Sequence, residues 1–346
     1  MITFDSQMNI SFHTDLRPYN SFHISTTAAG FAAFSNLAML QELLEMPAAK
    51  QFARTLLLGG GSNILFTQPF DGLILKNEID GIEVVEETDD HVLVKAGGGV
   101  VWHHFVMHAV ANNWGGVENL SLIPGCVGAS PIQNIGAYGV EIKDVLHSLE
   151  AYHLKDASLA RFTSADCGFG YRDSVFKKKF KGEFAILSVT FRLNKHPRLN
   201  TSYGAIEQEL ERMGISDPTI REVSAAVINI RQSKLPDPDK IGNAGSFFKN
   251  PVISNEQFDE IKKLYPGVPG FAGAEGTTKM PAAWLIEQCG WKGYRHNDAG
   301  VHQWQPLVLV NYGNATGKEI FDLSERILQS VKQRFGIDLE REVNIC

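Results

Sequence analysis

The chain is 346 residues long, more than one small hydrophobic core can organise, so we expect two or three domains. Hydrophobic residues make up 44% and charged residues 21%, as in an ordinary globular protein. The formal net charge of -7 argues against binding to nucleic acid or to a membrane surface, because both favour basic patches on the protein. We therefore expect neither kind of partner.

The chain shows no targeting or disulfide pattern. No stretch approaches the roughly 20 apolar residues of a membrane helix. Residues 1–16 lack a basic start followed by an apolar run, so we expect no signal peptide. Cys126, Cys167, Cys289 and Cys346 are scattered and form no C-x-x-C pair. This indicates neither a zinc site nor a disulfide framework and favours a cytoplasmic location.

In the first half of the chain, short predicted strands end in glycine turns. The segments "TLLLGGGSNILF" and "HVLVKAGGG" each combine an apolar strand with three glycines. A helix is predicted over "VVWHHFVMHAVANN", because Val101, Phe105 and Ala109 share one face. His104 and His108 on this helix have the spacing of a metal pair, but no carboxylate motif completes it. We therefore expect no metal.

The second half mixes strands and helices without a strict βαβ rhythm. The segments "LHSLEAYHL", "FAILSVTFRLN", "PLVLVNY" and the closing "DLEREVN" are typical of strands. Helices are predicted after Asp217-Pro218, after a cap at Ser254, from Pro281 to Gly290, and from a capping box of Thr316 with Glu319 to Gly336. We expect an α+β fold rather than a doubly wound sheet.

Two glycine-rich loops follow predicted strands. The first, "GGGSN" at 59–63, lacks the Gly-Lys-Ser/Thr ending of a phosphate loop and does not open a helix, so it is neither a Walker loop nor a dinucleotide-binding turn. It could wrap an anion with its backbone or be a tight turn. The second, "IPGCVGASPIQNIGAYGVE" at 123–141, could be an ordered surface loop or a backbone lying close to a flat or charged ligand. The two together favour a cofactor site.

Five long motifs occur in an order that resembles a known family. The resemblance runs from about Asn20 to Glu342 and is carried by "LLGGGSNILF", "IPGCVGASPIQNIGAYGVE", "CGFGYRDSVFK", "KLPDPDKIGNAGSFFKNP" and "AAWLIEQCGWKG". The family is UDP-N-acetylenolpyruvoylglucosamine reductase, and the segment "TSYG" is similar to its longer type, which has a tyrosine loop. Membership implies a cytoplasmic flavoenzyme of peptidoglycan precursor synthesis, and with it a role in cell wall biogenesis, cell shape and cell division.

The resemblance also implies an α+β fold of the vanillyl-alcohol-oxidase (PCMH) type. Two subdomains would hold FAD without a Rossmann motif, and a C-terminal α+β domain would bind substrate. The first FAD-binding subdomain is expected at 1–80 and is completed by 336–346. The second is expected at 81–232, the substrate-binding domain at 233–335, and the PCMH-type region over about 26–196.

The resemblance implies noncovalent FAD, NADPH as the hydride donor, and UDP-N-acetylglucosamine enolpyruvate as the substrate that is reduced to UDP-N-acetylmuramate. We expect a monomer. The expected FAD contacts come from the two glycine loops: Gly59, Gly60, Gly61, Ser62, Asn63, Ile123, Pro124, Gly125, Gly128, Ala129, Ser130, Gln133, Asn134, Gly136, Ala137, Tyr138 and Gly139.

Ser246 in "NAGSFFKNP" matches the family's proton donor. By itself this serine could cap a helix, attack a carbonyl or give up a proton. The short "FFKNP" argues against a cap, and the missing G-x-S-x-G elbow argues against a serine hydrolase. The neighbouring Phe247 and Phe248 could exclude water from the site or belong to the core.

Arg172 and Glu342 match the other two catalytic residues of the family. Arg172 would face the developing carboxylate charge, for which a guanidinium fork suits better than a lysine. Glu342 would be the terminal catalytic acid. Without the resemblance, a salt bridge of Arg172 with Asp173 would be favoured, and Glu342 would be a solvated strand residue.

The expected substrate contacts are Tyr171, Tyr203, Lys234, Gly245, Asn250 and Phe271. Lys234 would supply a point charge for the diphosphate, and Tyr203 a hydroxyl on an aromatic ring. Phe271 departs from the family pattern, because a tyrosine is expected there in the longer type. A hydrogen bond at this position is therefore lost or replaced.

Two other classes share parts of this pattern. A flavin-dependent oxidase of the alditol or aldonolactone type has the same broad fold, and Cys126 could be taken for a covalent flavin anchor. A nucleotide-sugar sensor on an old enzyme fold is a third interpretation. Ser246, Arg172 and Glu342 together favour the reductase, because an oxidase has no use for this protonation set and a sensor should have lost one member.

Overall fold

The computed structural model describes residues 9–346, so the first eight residues of the segment expected to lack a signal peptide lie outside the description. Helices run over Leu37–Glu45 (α1), Pro47–Lys50 (α2), Trp102–Ala111 (α3), Gly204–Arg212 (α4), Ile220–Lys234 (α5), Asn255–Leu264 (α6), Ala282–Gln288 (α7) and Gly317–Phe335 (α8). Short 3₁₀ turns lie at Arg17–Tyr19, Glu118–Leu120, Val127–Ala129 and Ile142–Asp144.

Most strands are short. The longer ones, with eight or more residues, are Thr27–Phe34, Phe70–Asn77, Leu146–His153 and Phe184–Asn194. They run over Ser11–Asp15 (β1), Thr27–Phe34 (β2), Thr55–Leu58 (β3), Ile64–Leu65 (β4), Phe70–Asn77 (β5), Ile82–Glu87 (β6), His91–Gly97 (β7), Gly136–Ala137 (β8), Val140–Glu141 (β9), Leu146–His153 (β10), Leu159–Thr163 (β11), Phe184–Asn194 (β12), Gly242–Ser246 (β13), Val252–Ser254 (β14), Phe271–Ala272 (β15), Thr277–Lys279 (β16), Arg295–His296 (β17), Ala299–Val301 (β18), Val308–Asn311 (β19) and Asn344–Ile345 (β20).

Contacts divide the described chain into two units. The first contains 9–14, Thr27–Gly60 and Phe70–Ser233, and the second contains Asp15–Thr26, Gly61–Pro69 and Lys234–Cys346. The first glycine loop is shared between them, because Gly60 ends a segment of one and Gly61 begins a segment of the other.

The first unit is organised around β12. This strand lies in the antiparallel sheet β11-β10-β12-β7-β6, while a second sheet, β1-β2-β5-β3, has β5 parallel to both β2 and β3. The predicted alternation holds at the end of β12, where Phe191 and Leu193 are buried and Arg192 and Asn194 are exposed. One sheet face thus builds the core, as period-two patterning requires.

Helix α3 covers this sheet with its aromatic face. Phe105 lies 4.4 Å and Trp102 5.7 Å from Phe191, measured between ring centroids. Phe105 and Ala109 are buried as predicted, but Val101 is exposed. The prediction for Val101 was wrong because this residue is the N-cap of α3, with extended backbone, and not part of the helical face.

The second unit is organised around the sheet β13-β19-β18-β17 and helix α8. The predicted capping box of Thr316 and Glu319 is confirmed, and so is the end of the helix at Gly336, which is left-handed with φ 67°. The closing segment was predicted as a strand, but only Asn344–Ile345 forms one, parallel to β4.

The other helix predictions differ from the structure by a few residues. Helix α5 begins at Ile220 and not at Pro218, because the Glu222 carboxylate accepts from the Thr219 N–H at 2.8 Å and satisfies this end. The cap at Ser254 is confirmed by its 3.2 Å bond from the Gln257 N–H. The α+β class is confirmed, and in residues 9–346 no helix is long and apolar enough to cross a membrane.

Candidate active site

The two predicted flavin loops contact each other through glycine. A Cβ added to Gly60 would lie 3.1 Å from the Cα of Gly125, and one added to Gly128 would lie 3.0 Å from the Cα of Gly98. Any larger side chain would push these backbones apart. Loop-to-loop packing therefore explains part of the glycine content, and sequence alone does not separate this cause from ligand approach.

The second loop is fixed by backbone bonds to the segment that follows β7. The Gly128 N–H donates to the Gly98 carbonyl at 2.9 Å, and the Trp102 N–H donates to the Gly125 carbonyl at 2.9 Å. These bonds hold the loop to the segment after β7 through its own backbone groups.

Ser130 and Asn134 use their side chains inside the fold. The Ser130 Oγ donates to the Val127 carbonyl at 2.6 Å. Asn134 is buried, donates from Nδ2 to the Gly170 carbonyl at 2.9 Å, and accepts the Lys143 N–H at Oδ1 at 3.1 Å. These two side chains shape the loop. The predicted residues of the second loop that keep at least partial exposure are Ile123, Pro124, Gly125, Ala129, Gln133, Gly136, Ala137, Tyr138 and Gly139.

The second half of the first loop is fixed within the second unit. Gly61 is left-handed with φ 62°, and an added Cβ would lie 2.0 Å from the Tyr19 carbonyl oxygen, so only glycine fits. Asn63 donates from Nδ2 to the Glu342 carbonyl at 3.3 Å. Ser62 between them is partly buried. This half-loop therefore fixes the segment that carries a predicted catalytic residue.

Ser246 and Glu342 lie on neighbouring stretches of backbone. Ser246 ends β13 opposite Val308, and the next residue, Phe247, accepts the Glu342 N–H at its carbonyl at 2.8 Å. Gly245 is left-handed with φ 69°, and the pairing shifts register between Asn243 and Ser246. This bulge sets the direction of the Ser246 side chain.

The two phenylalanines after Ser246 belong to the core. Phe247 and Phe248 are 0% and 1% exposed and pack with Phe22 and with each other. Of the two roles considered from sequence, the structure assigns the core role. They anchor the serine strand from behind.

Arg172 occupies an unusual backbone conformation in the first unit. Its φ is 53°, although it is not glycine, and such strain is common at functional sites. Its guanidinium donates to the Gly136 carbonyl at 2.6 Å and lies 5.6 Å from the Tyr171 ring centroid. Asp173, the alternative partner, forms an ion pair with Lys178. Arg172 therefore contacts the predicted flavin loop.

Two predicted substrate residues of the first unit are exposed aromatics. Tyr203 caps α4 and packs edge-on against Tyr138 of the flavin loop, with ring centroids 5.4 Å apart. Tyr171 lies against Arg172. The structure therefore places each of them beside a residue predicted for the cofactor or the chemistry.

The substrate residues of the second unit lie on separate elements. Lys234 is an exposed residue at the end of α5. Asn250 accepts the Ala282 N–H at Oδ1 at 2.9 Å, which orients its amide. Phe271 is exposed on β15, opposite Lys279 of β16. The structure describes these positions without bringing them into contact with one another.

Burial raises the pKa of the cysteines near the flavin loop region. The pKa of the Cys126 thiol lies above its usual value, mainly because the thiol is buried, and burial raises that of Cys167 to about 12. Both are neutral thiols at physiological pH and are weak nucleophiles. Cys126 therefore has the wrong protonation state for a flavin anchor.

Sequence reasoning missed Arg231, His103 and Asn119. Arg231 lies in the last turn of α5 and donates from Nε to the Leu122 carbonyl at 3.2 Å, next to the second loop. The sequence signal for Arg231 was a cation in the last turn of a helix whose buried face is apolar. In the described part of the chain, no cluster of His, Cys, Asp and Glu could hold a metal ion.

The fold and the two glycine loops first indicate the class of protein, and the C-terminal half of the chain then indicates the family. The FAD binding domain family matches residues 28–162, so the chain is an FAD-binding protein. The family described as UDP-N-acetylenolpyruvoylglucosamine reductase, C-terminal domain, matches residues 237–346.

Full-length relatives agree with both matches. A UDP-N-acetylenolpyruvoylglucosamine reductase of Amoebophilus asiaticus is 48% identical over 98% of this chain and 99% of its own length. The one from Chromobacterium violaceum is 49% identical over 97% and 99%. This chain belongs to the UDP-N-acetylenolpyruvoylglucosamine reductase family. The predicted identity as an FAD-dependent, NADPH-using oxidoreductase of peptidoglycan synthesis is confirmed, and the oxidase alternative is not favoured.

Solved structures support the fold. The UDP-N-acetylenolpyruvylglucosamine reductase of Thermus caldophilus covers 98% of this chain and 99% of its own with a TM-score of 0.68 at 22% identity. The 6-hydroxy-D-nicotine oxidase of Arthrobacter nicotinovorans covers 98% and 88% with a TM-score of 0.50 at 12% identity. The reductase and the oxidase thus share the expected type of fold.

Proposed function

We propose that this chain reduces UDP-N-acetylglucosamine enolpyruvate to UDP-N-acetylmuramate with NADPH, using noncovalent FAD. The observation that carries the proposal is the pairing of the Ser246 strand with the C-terminal segment, where the Glu342 N–H bonds to the Phe247 carbonyl at 2.8 Å. It puts a hydroxyl and a carboxylate on adjacent backbone at the end of one sheet.

Glycine loops 59–63 and 123–139 fit FAD. Their backbones approach closely, and Gly136, Ala137 and Tyr138 keep partial exposure, so this part of the second loop stays accessible to a ligand. When bound, FAD supplies hydride transfer from the nicotinamide donor to the substrate double bond. Holding and orienting the cofactor are the tasks of the two loops.

Ser246 is the proposed donor of the proton that completes the reduction. After hydride delivery to the terminal carbon of the enolpyruvyl group, the adjacent carbon must be protonated from a fixed side. A serine hydroxyl is a weak acid, so its contribution depends on its aim at that carbon. The left-handed Gly245 and the register shift before Ser246 supply this aim.

Arg172 and Glu342 are proposed to handle charge. Arg172 donates fixed N–H groups to the carboxylate on which negative charge develops, an arrangement that stabilises the transition state. Glu342 orients the proton donor or shares its proton, since its backbone is bonded to the residue that follows Ser246. Neither role needs a metal.

Lys234, Tyr203 and Asn250 are proposed to bind the diphosphate and uridine. The bond from the Ala282 N–H to Asn250 Oδ1 fixes the side-chain amide and leaves its Nδ2 donors for the substrate. Tyr171 and Gly245 are proposed to lie against the substrate. Phe271 supplies apolar contact without the hydroxyl expected from the family pattern.

We also propose that the chain acts as a cytoplasmic monomer. The three-part division remains the proposal for its domains: FAD binding by 1–80 with 336–346 and by 81–232, which include the PCMH-type region, and substrate binding by 233–335. Arg172 belongs to the second part and Ser246 to the third.

The test is a substrate-dependent oxidation. Purified protein should release yellow FAD when denatured. Beyond the one equivalent that reduces the bound flavin, it should oxidise one NADPH for each molecule of UDP-N-acetylglucosamine enolpyruvate added. Rapid NADPH oxidation that depends on oxygen and ignores the substrate would support an oxidase. Flavin that stays attached after denaturation would contradict noncovalent binding.

A further inference from the structure

One side chain reaches the start of the second glycine loop from another element. Arg231, in the last turn of α5, is partly buried, and its Nε donates to the Leu122 carbonyl at 3.2 Å. Leu122 directly precedes the loop 123–139. The charge of Arg231 also acts on Tyr138, the residue before the last of the loop, where it opposes the rise in pKa that burial causes.

The residues at the start and near the end of the loop have the same unusual backbone. Leu122 and Tyr138 are left-handed, with φ 58° and 49°, a region that residues with large side chains rarely adopt. Such conformations persist when surrounding contacts determine them. The loop therefore enters and leaves through two conformations that need support from outside the loop.

Further polar contacts support the same two residues. The Leu122 N–H donates to His103 Nδ1 at 3.0 Å, and the Tyr138 carbonyl accepts from Asn119 Nδ2 at 3.0 Å. Burial, and then the neighbouring charges of His104 and Arg231, lower the pKa of His103, so its ring is neutral and can accept this bond. The start of the loop is thus held by His103 and Arg231, and its end by Asn119.

The contact extends to the predicted substrate side. Tyr138 packs edge-on against Tyr203, with ring centroids 5.4 Å apart, and Asn119 also donates to the Asn200 carbonyl at 2.9 Å. Tyr203 therefore packs against the end of the loop.

We infer that Arg231 is a positioning residue that holds the 123–139 loop in the shape that accepts FAD. A guanidinium suits this role because its donors lie in a fixed plane and can meet the Leu122 carbonyl with a set direction. A lysine offers only a point charge on a flexible stem. The inference rests on the proposed binding of FAD at this loop.

The experiment compares three substitutions on one helix. Arg231→Met removes the donors and keeps the bulk, Arg231→Lys keeps the charge, and Arg221→Met is the matched control. Arg221 is exposed on α5 and also donates to a backbone carbonyl, that of Ala111, at 3.1 Å. FAD affinity of the full chain is measured by titration after the flavin is removed, and amide hydrogen exchange of 122–139 is measured before FAD is added back.

Arg231→Met should weaken FAD binding about tenfold, the scale of one lost hydrogen bond, and should speed exchange in 122–139. Arg231→Lys should lie between Arg231→Met and the wild type, and Arg221→Met should match the wild type.

Two outcomes would overturn the inference. Unchanged exchange in 122–139 would show that the loop does not depend on Arg231. Faster exchange with unchanged FAD affinity would show that the loop shape does not govern flavin binding. Failure of the proposed function is separate, because then the wild type itself would not bind FAD.

Discussion

The second flavin loop and the Ser246 strand both depend on glycine, but their shapes are determined over different distances in the sequence. The loop is bonded to Gly98 and to Trp102, which precede it closely in the chain. Ser246 is completed by the segment around Glu342, near the end of the chain. The backbone bonds that fix the loop therefore span a shorter stretch of chain than the bond that completes the Ser246 strand, although Gly60 and Arg231 also reach the loop from farther away.

This difference has a consequence for how each region tolerates change. The C-terminal segment is tethered to α8, because Arg341 donates to Ser324 Oγ at 2.9 Å and to the Glu325 carboxylate at 2.6 Å. Arg341 also pairs through its backbone with Phe248. Changes in α8 should therefore reach Glu342, while the flavin loop should be insensitive to them.

The largest expected effect separates the two half-reactions. Ser246→Ala should keep reduction of FAD by NADPH and slow reoxidation by the enolpyruvyl substrate by about 10²–10⁴-fold, because only the second step needs a proton at carbon. Stopped-flow measurement of flavin absorbance resolves both steps. Ser254→Ala is the control, since that hydroxyl caps α6. An equal loss in both half-reactions would make Ser246 structural.

The next effect concerns charge in the second unit. Lys234→Ala should weaken UDP binding by about 1.5–3 kcal/mol, the free energy of one hydrogen bond to a charged group. It should also raise the Michaelis constants of substrate and NADPH. Lys234→Arg should restore part of this. Because a Michaelis constant need not equal a dissociation constant, UDP binding is measured directly by calorimetry.

Lys240→Ala is the control for Lys234, since Lys240 is also exposed and pairs with Asp237. Unchanged UDP affinity in Lys234→Ala would remove this residue from the phosphate site. Tyr203 and Asn250 would then have to account for recognition.

A third prediction addresses the local region. Gly60→Leu should give protein with little or no flavin, because the added side chain meets the Gly125 backbone, and overpacking of this kind costs about 1–3 kcal/mol. The ratio of visible to ultraviolet absorbance measures bound FAD. Gly267→Leu is the control, as nothing lies within 4 Å of its added Cβ. Full flavin content in Gly60→Leu would contradict the role of loop contact.

Sequence predicted the local features of both regions well. The capping box at Thr316, the cap at Ser254 and the strand over "FAILSVTFRLN" follow from side-chain chemistry and periodicity within a few residues. The family resemblance supplied the candidate catalytic residues, whose roles remain predictions.

The rest depended on contacts that no local pattern encodes. The contact of Gly60 with Gly125, the bond from Arg172 to Gly136 and the bond from Arg231 to Leu122 join segments far apart in the chain. The closing segment was misjudged for the same reason: its backbone bonds to Phe247 and Lys249 at isolated points and not along a strand.

The smallest expected effect tests whether the assembled region and the flavin loop respond separately. Thr316→Ala removes the side-chain oxygen that accepts the Glu319 N–H at 3.2 Å, which should lower the free energy of unfolding by about 1 kcal/mol. The substitution weakens the start of α8, the helix that holds Arg341. Urea unfolding followed by tryptophan fluorescence measures the loss. FAD affinity should stay at the wild-type value, because Gly125, Gly128 and Asn134 of the loop bond to Trp102, Gly98 and Gly170 within the first unit. A matching fall in FAD affinity would mean that the two regions are coupled, and the contrast between a local loop and an assembled site would fail.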